Sequence, residues 1–358
     1  MLTAEDKSTI ITCPPPSSQQ PGWRKALAAA VTDPAELLAL LDLDPALLPA
    51  ARVAHRRFRL RVPRGFIARM QPANPGDPLL RQVLPLGAEL DEVDGFSADP
   101  VGDEAATRAP GLLGKYSGRA LFIATGACAI NCRYCFRREF PYGAGLAATA
   151  DWAPALQRLD QLPGVSELIL SGGDPLVLSD KRLEKLSAAL RSRPGIRRLR
   201  IHSRLPIVLP ERIDPGFLDW VASLHLPLVM VVHANHAREI NQPVVEAMEA
   251  LRRADVTVLN QSVLLAGVND SSGALVELSE ALFACGVLPY YLHLLDRVRG
   301  TAHFEVPEAR ALELARSIAA KLPGYLVPRL VREVPGAPGK TVLNLALTDE
   351  TVTLGGAV

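Results

Sequence analysis

The sequence predicts an α/β fold: a partial (βα)6 barrel of parallel strands, preceded by a helical region and followed by a short C-terminal loop. Three observations carry this. Short apolar, β-rich runs occur near Leu121, Leu168, Leu199, Leu228, Thr257 and Leu288. After the first interval they recur roughly every thirty residues, the length of one strand-plus-helix unit. Between them lie amphipathic stretches: Asp180 to Ser192, Gly216 to Leu224, Val244 to Ala254 and Ala274 to Cys285. Alternating strands and helices imply a parallel sheet with helices outside. Right-handed crossovers curl six such strands into a partial barrel, with ligand groups expected at the strands' C-terminal ends.

The whole chain bounds the answer further. Its 358 residues suffice for one large domain or two ordinary ones, and 48% hydrophobic content is ample for a core. A net charge of +1 gives no electrostatic footprint for nucleic acid or an anionic membrane. Five cysteines, three of them crowded, fit a reducing cytosol better than a disulfide framework. The N-terminus has no signal-like apolar core, and no apolar run approaches membrane-spanning length. The expectation is a cytoplasmic protein.

In order, residues 1–20 are polar, end in a Pro-Pro-Pro run and read as a disordered tail containing Cys13. Residues 21–110 read as a helical region. Leu27 and Val31 share a helix face, and Asp33-Pro34-Ala35-Glu36 has an N-cap aspartate with proline at the first helical position. Residues 52–70 are basic, including Arg56, Arg57, Arg59, Arg61 and Arg64. They read either as a solvated face or as a docking surface for an acidic partner. Pro72 to Pro85 is turn-rich and reads as a linker. The core domain is expected over 111–330, and a C-terminal segment over 331–358.

Cys128-x3-Cys132-x2-Cys135 places three sulfurs on one tight loop, where they can converge on a single metal centre. Thiolates favour iron–sulfur clusters, zinc or copper(I). Neither Cys13 nor Cys285 is close enough in sequence to be a fourth ligand. A structural zinc loop is one reading, although structural zinc usually takes four protein ligands. The other is a [4Fe–4S] cluster with one open iron. The spacing, with Tyr134 before the third cysteine, resembles the radical S-adenosylmethionine (SAM) enzymes, whose open iron chelates SAM.

The strand ends supply further candidates. Ser171-Gly172-Gly173-Asp174-Pro175 follows the second strand, and glycines let backbone approach a ligand closely. In that position the run resembles the superfamily motif contacting the SAM amino group, which implicates Gly172, Gly173 and Asp174. His202-Ser203-Arg204 ends the third strand, His233 the fourth and Asn260-Gln261-Ser262 the fifth. Buried polar groups at successive strand ends need partners, so Ser203, Arg204, His233 and Gln261 are expected to line the SAM pocket. The sixth strand ends in Asp296, and the loop Glu333-Val334-Pro335-Gly336-Ala337-Pro338-Gly339-Lys340 delivers one lysine.

The segments PGLLGKYSGRALF, CAINCRYCFRREFPY, SGGDPL, RLRIHSRLPIVLP, LNQSVLL, PYYLHLLD and GAPGK together resemble the lysine 2,3-aminomutase family. The likeness is greatest to the bacterial branch that makes (R)-β-lysine for modifying elongation factor P. This resemblance implies that Lys340 forms a Schiff base with pyridoxal 5'-phosphate (PLP) and that Lys115 and Arg119 bind its phosphate. It implies that Arg137 holds the carboxylate of L-lysine, while Asp296 and Glu333 hold its distal amine. Glu333 departs from the aspartate of the free-standing aminomutases, and one extra methylene alters its reach. The longer aminomutases also carry a C-terminal zinc-binding segment that this sequence does not include, so their oligomeric arrangement is not carried over. The implied partners are an electron donor such as flavodoxin or ferredoxin, and elongation factor P with its lysyl ligase. Two alternatives stand beside it: a radical SAM enzyme acting on another amino acid, and a zinc-stabilised binding module of the translation apparatus.

Overall fold

A computed structural model describes residues 22–142 and 152–345. The tail predicted over 1–20, with Cys13, lies outside the described residues.

Among the described residues, ten strands form one sheet in sequence order. They are β1 (Thr107–Ala109), β2 (Leu112–Tyr116), β3 (Arg119–Thr125), β4 (Glu167–Gly172) and β5 (Arg198–Ser203), followed by β6 (Leu228–Val232), β7 (Thr257–Val263), β8 (Leu288–His293), β9 (Arg329–Arg332) and β10 (Thr341–Val342). Each neighbouring pair from β3 to β9 is parallel. The outer pairs β1–β2, β2–β3 and β9–β10 are antiparallel. The six expected strands are β3 to β8. The sequence missed the β1–β2 hairpin and also β9, which extends the parallel run and straddles the expected boundary at residue 330. Helices Asp180–Leu190, Pro215–Ala222, Gln242–Arg253, Ser272–Ala284 and Glu308–Ala319 cross between successive parallel strands.

β4 reads almost continuously apolar, and Leu168 and Leu170 are fully buried, as expected for a strand covered on both faces. Its crossover helix Asp180–Leu190 buries Leu183, Leu186, Ser187 and Leu190 on one stripe.

In the helical region, the Asp33 side chain accepts from Ala35 N at 2.9 Å and caps helix Pro34–Leu40 as predicted. The Pro72–Pro85 stretch is not a surface linker. Asp77 accepts from Leu79 N and Leu80 N and starts a short helix, Pro78–Arg81. Leu79, Leu80 and Val83 are completely buried, each contributing roughly 1.5–3 kcal/mol of apolar burial. Proline and glycine density marked the turns correctly but hid the apolar residues between them. Trp23, Leu37, Phe66 and Leu79 share one core cluster with barrel residues as distant as Met248 and Val287. Among the described residues, no helix is long and apolar enough to cross a membrane.

Candidate functional site

One cavity of about 390 Å3 is lined from the cysteine loop to Asp296. Its wall takes Ser171 and Gly172 from β4, His202 and Ser203 from β5, and His233 just after β6. Gln261 and Val263 from β7 and His293 from β8 complete it. Strand ends this far apart in the sheet order can face one cavity only if the sheet curls around it, which makes the sheet a partial barrel.

Cys128, Cys132 and Cys135 all line this cavity. Burial pushes the Cys135 thiol up to about 11 and raises the Cys128 thiol as well, with the neighbouring cysteines adding to both shifts. Thiols held this way lose their protons when a cation is there to take the charge. Among the described residues, no three His, Cys, Asp or Glu side chains close on one point as ligands of a single ion. Three soft donors facing a shared space fit a cluster of several irons. Cys285 is elsewhere: it ends helix Ser272–Ala284, buried in the core.

The glycines hold the cysteine loop against β4. A Cβ on Gly173 would lie 2.3 Å from the Ala127 carbonyl oxygen. Gly172 has φ +120°, and a Cβ there would lie 2.5 Å from Thr125 O. Gly173 N donates to Thr125 O at 2.7 Å, and Asp174 N donates to Ala127 O at 2.8 Å. The Asp174 carboxylate accepts from Ser203 Oγ (2.7 Å), Arg204 N (2.8 Å), Leu176 N (3.0 Å) and Leu205 N (3.1 Å). Asp174 and Ser203 thus clamp the β4 turn to the end of β5. Arg204 donates from Nη1 to Cys132 Sγ at 2.7 Å and from Nη2 to Gln82 Oε1 (2.6 Å) and Glu239 Oε2 (3.1 Å).

Four buried polar atoms of this lining have no partner among the described residues: His233 Nε2, His293 Nε2, Gln261 Oε1 and Arg204 Nε. All are buried and line the same cavity. Burial lowers His233 to about 3 and lowers His202 and His293 as well, so all three rings are neutral at neutral pH. Orphaned donors and acceptors around one space fit a polar ligand such as SAM.

At the other end, five charges alternate in a chain. Arg137 Nε donates to Asp103 at 2.8 Å, and Lys115 Nζ lies 2.7 Å from the same carboxylate. Lys115 Nζ is also 3.7 Å from Glu333, which accepts from Lys340 Nζ at 3.1 Å. The Tyr116 hydroxyl donates to Glu333. Arg119 stacks on the Tyr116 ring at 4.8 Å, and among the described residues it forms no ion pair. Lys340, Lys115 and Arg119 therefore converge, and the unpaired guanidinium with two nearby amines fits a phosphorylated aldehyde such as PLP.

The predicted substrate residues divide. Asp296 lines the cavity, and burial raises its carboxyl to about 7 against the pull of Lys340. Glu333 instead spends its carboxylate on Lys340, Tyr116 and Lys115 and lies below the ordinary glutamate range, because those partners outweigh burial. Arg137 is committed to Asp103 and Ser171 Oγ (3.0 Å) through Nε and Nη1, which leaves Nη2 without a partner among the described residues.

Asp103, Tyr116 and His293 were missed in the sequence. Asp103 sits in a short helix distant in sequence from both its cations, so no local spacing marks it. His293 directly precedes the Leu294-Leu295-Asp296 run and was detectable there.

A profile of the radical SAM superfamily matches residues 122–278. The chain is 48% identical over 342 residues to the L-lysine 2,3-aminomutase of Escherichia coli (strain K12), covering 95% of this chain and 99% of that one. It is 43% identical to the Haemophilus influenzae L-lysine 2,3-aminomutase over 93% of this chain and 98% of that one. Against the longer Clostridium subterminale L-lysine 2,3-aminomutase, identity is 34% over 80% of this chain and 69% of the relative. With its parallel barrel and cysteine loop, this chain belongs to the L-lysine 2,3-aminomutase family of radical SAM isomerases.

Proposed function

We propose that the protein converts (S)-α-lysine to (R)-β-lysine with a [4Fe–4S] cluster, SAM and PLP, and that the product serves the modification of elongation factor P by its lysyl ligase. The observation that carries the reaction is the single cavity joining the three cysteines to Asp296, with Lys340 beside it. The destination of the product rests on the resemblance of the sequence segments to the elongation factor P branch. The reaction's setting is the cytoplasm.

When bound, the cluster and SAM supply a carbon radical that takes and returns hydrogen, and PLP on Lys340 supplies a π system across which nitrogen moves between adjacent carbons. The chain's own residues do the rest. Cys128, Cys132 and Cys135 hold the cluster. His233, Gln261 and the turn at Gly172-Gly173-Asp174 shape the SAM side, with Ser203 and Arg204 behind it. Lys115 and Arg119 answer the phosphate. Arg137 Nη2 meets the substrate carboxylate, and Asp296 meets the distal ammonium with Glu333 nearby. Curling six strand ends around the site keeps water from the reacting carbons. The reducing electron comes from a carrier such as flavodoxin or ferredoxin.

The deciding experiment is product analysis after anaerobic reconstitution with iron, sulfide, SAM, PLP and lysine. (R)-β-Lysine is the expected product. Lys340→Ala should keep its iron while losing the borohydride-trapped PLP adduct. Trapping at another lysine, or cleavage of SAM with no β-lysine from the loaded wild type, would overturn the reading.

A further inference from the structure

We propose that the arginine face of residues 52–59 docks an acidic protein that delivers single electrons to the cluster. The proposal rests on the radical SAM reading of Cys128, Cys132 and Cys135.

Between Asp44 and Asp77 the sequence contains no Asp or Glu. Helix Leu48–Arg57 buries Ala51 and Ala54 and leaves Arg52, Arg56 and Arg57 exposed, and Arg59 is exposed just beyond it. None of these four has a carboxylate partner among the described residues; Arg59 reaches only His55, at 3.2 Å. Of the arginines that follow, Arg61, Arg64 and Arg69 have partners within the fold's own residues. Arg61 reaches Cys128 O at 3.5 Å, Arg64 pairs with Glu36, and Arg69 donates to Ile207 O and Glu239 O at 2.7 Å each. A solvated helix face normally mixes both charge signs; an uncompensated single sign on one short stretch creates a field.

The same stretch is fastened to the cysteine loop. Asn131 donates to Arg61 O (3.0 Å) and, from Nδ2, to Arg59 O (2.9 Å), and Arg133 donates to Phe58 O (2.7 Å). Arg57 and Arg59 form part of the wall of the cavity that the three cysteines line. A protein seated there meets the cavity wall beside the cysteine loop. The step moves one electron from the reduced carrier to the oxidised cluster, with no proton or group transferred. The carrier chemistry that fits is a low-potential flavin or iron–sulfur protein with an acidic rim, because complementary charge steers encounter and sets its salt dependence.

The test compares reconstituted wild type with Arg52→Glu/Arg56→Glu, neither of which lines the cavity, using chemically reduced flavodoxin as the donor. Cluster bleaching is followed by stopped flow across a sodium chloride series. The variant is expected to be reduced about tenfold more slowly or worse at low salt, with the gap closing as salt rises. Arg52→Lys/Arg56→Lys should match wild type. Iron, sulfide and the dithionite end point should be unchanged in both variants. If the charge-reversed pair loads less iron, Arg52→Glu and Arg56→Glu alone are compared per cluster. Equal rates in wild type and every charge-reversed variant, or rates indifferent to salt, would overturn the proposal. A wild type that binds no iron is a separate failure, and it removes the radical reading beneath this one.

Discussion

Arg204 Nη1 lies 2.7 Å from Cys132 Sγ, and the same guanidinium is held from behind by Gln82 and Glu239. The sequence had placed Arg204 among the SAM-facing residues. Its geometry gives it a task toward the sulfur: an N–H donor and a fixed positive charge stabilise the more negative, reduced state of a thiolate-bound cluster. Arg204→Met should therefore lower the reduction potential, by tens of millivolts, where about 59 mV is tenfold for one electron. Glu239→Gln should produce a smaller shift by loosening the arginine. EPR-monitored redox titration reads both, and an unchanged midpoint in Arg204→Met would refute the assignment.

Asp103 carries two cations, and its replacement tests the alternating chain. Burial alone would raise its carboxyl, but Arg137 and then Lys115 outweigh it and hold it below the usual carboxylate range. A depressed carboxyl contributes stability that is fully present above its unfolded value of about 4 and is lost as pH falls through the folded value. Asp103→Asn leaves the buried Arg137 and the half-buried Lys115 without their shared carboxylate, which should cost about 3 kcal/mol at neutral pH. Urea denaturation at pH 7 and at pH 3 measures this. The difference between wild type and variant should shrink at the lower pH.

Asp296 behaves in the opposite sense. Burial raises its carboxyl to about 7, so the folded protein holds that proton more tightly than the unfolded chain does. Stability from this group is present at low pH and falls as pH rises toward 7. Lysine's ammonium binds the ionised form, so affinity for lysine should rise over the same window. Between pH 6 and pH 8 the ionised fraction grows about tenfold, and lysine affinity of the loaded enzyme should follow. Asp296→Asn should flatten the profile while leaving iron and PLP content intact. A profile identical in both proteins would return Asp296 to a structural role.

Gly173→Ala tests the loop that presents the cysteines. The added methyl meets Ala127 backbone at 2.3 Å, so the chain before Cys128 must move. Iron retained after reconstitution should fall severalfold, with far-ultraviolet circular dichroism unchanged because the barrel strands are untouched. Full iron loading would show that the loop has slack the close approach denies.

The parts legible in the sequence were those with local physics. β3 to β8 announced themselves as short β-rich runs recurring at the length of one strand-plus-helix unit, and Cys128, Cys132 and Cys135 because one loop holds all three. β9 escaped because Arg329–Arg332 is short and begins and ends in arginine, its apolar pair Leu330-Val331 reading as a loop beside Pro328. Asp103 and Gln82 escaped because each is defined by partners far along the chain: Arg137 for the first, Arg204 and Glu239 for the second. The terminal loop was found, but not the distribution of its charges. Spacing could not reveal that Glu333 pairs with the very lysine it was expected to stand beside.

The shared core of the helical region and the barrel has a consequence for synthesis. Arg69 finds its acceptor at Glu239, 170 residues further on, and Trp23 packs against Arg212. A ribosome adding about 5–20 residues per second needs on the order of ten to thirty seconds to make that stretch. For that time the first helices emerge with an apolar face and nothing to lay it against. They stay open to aggregation and to holding chaperones until the middle of the barrel appears. The chain's most vulnerable moment falls before its cofactors can bind, so the yield of folded protein in a cell depends on how the nascent helices are sheltered.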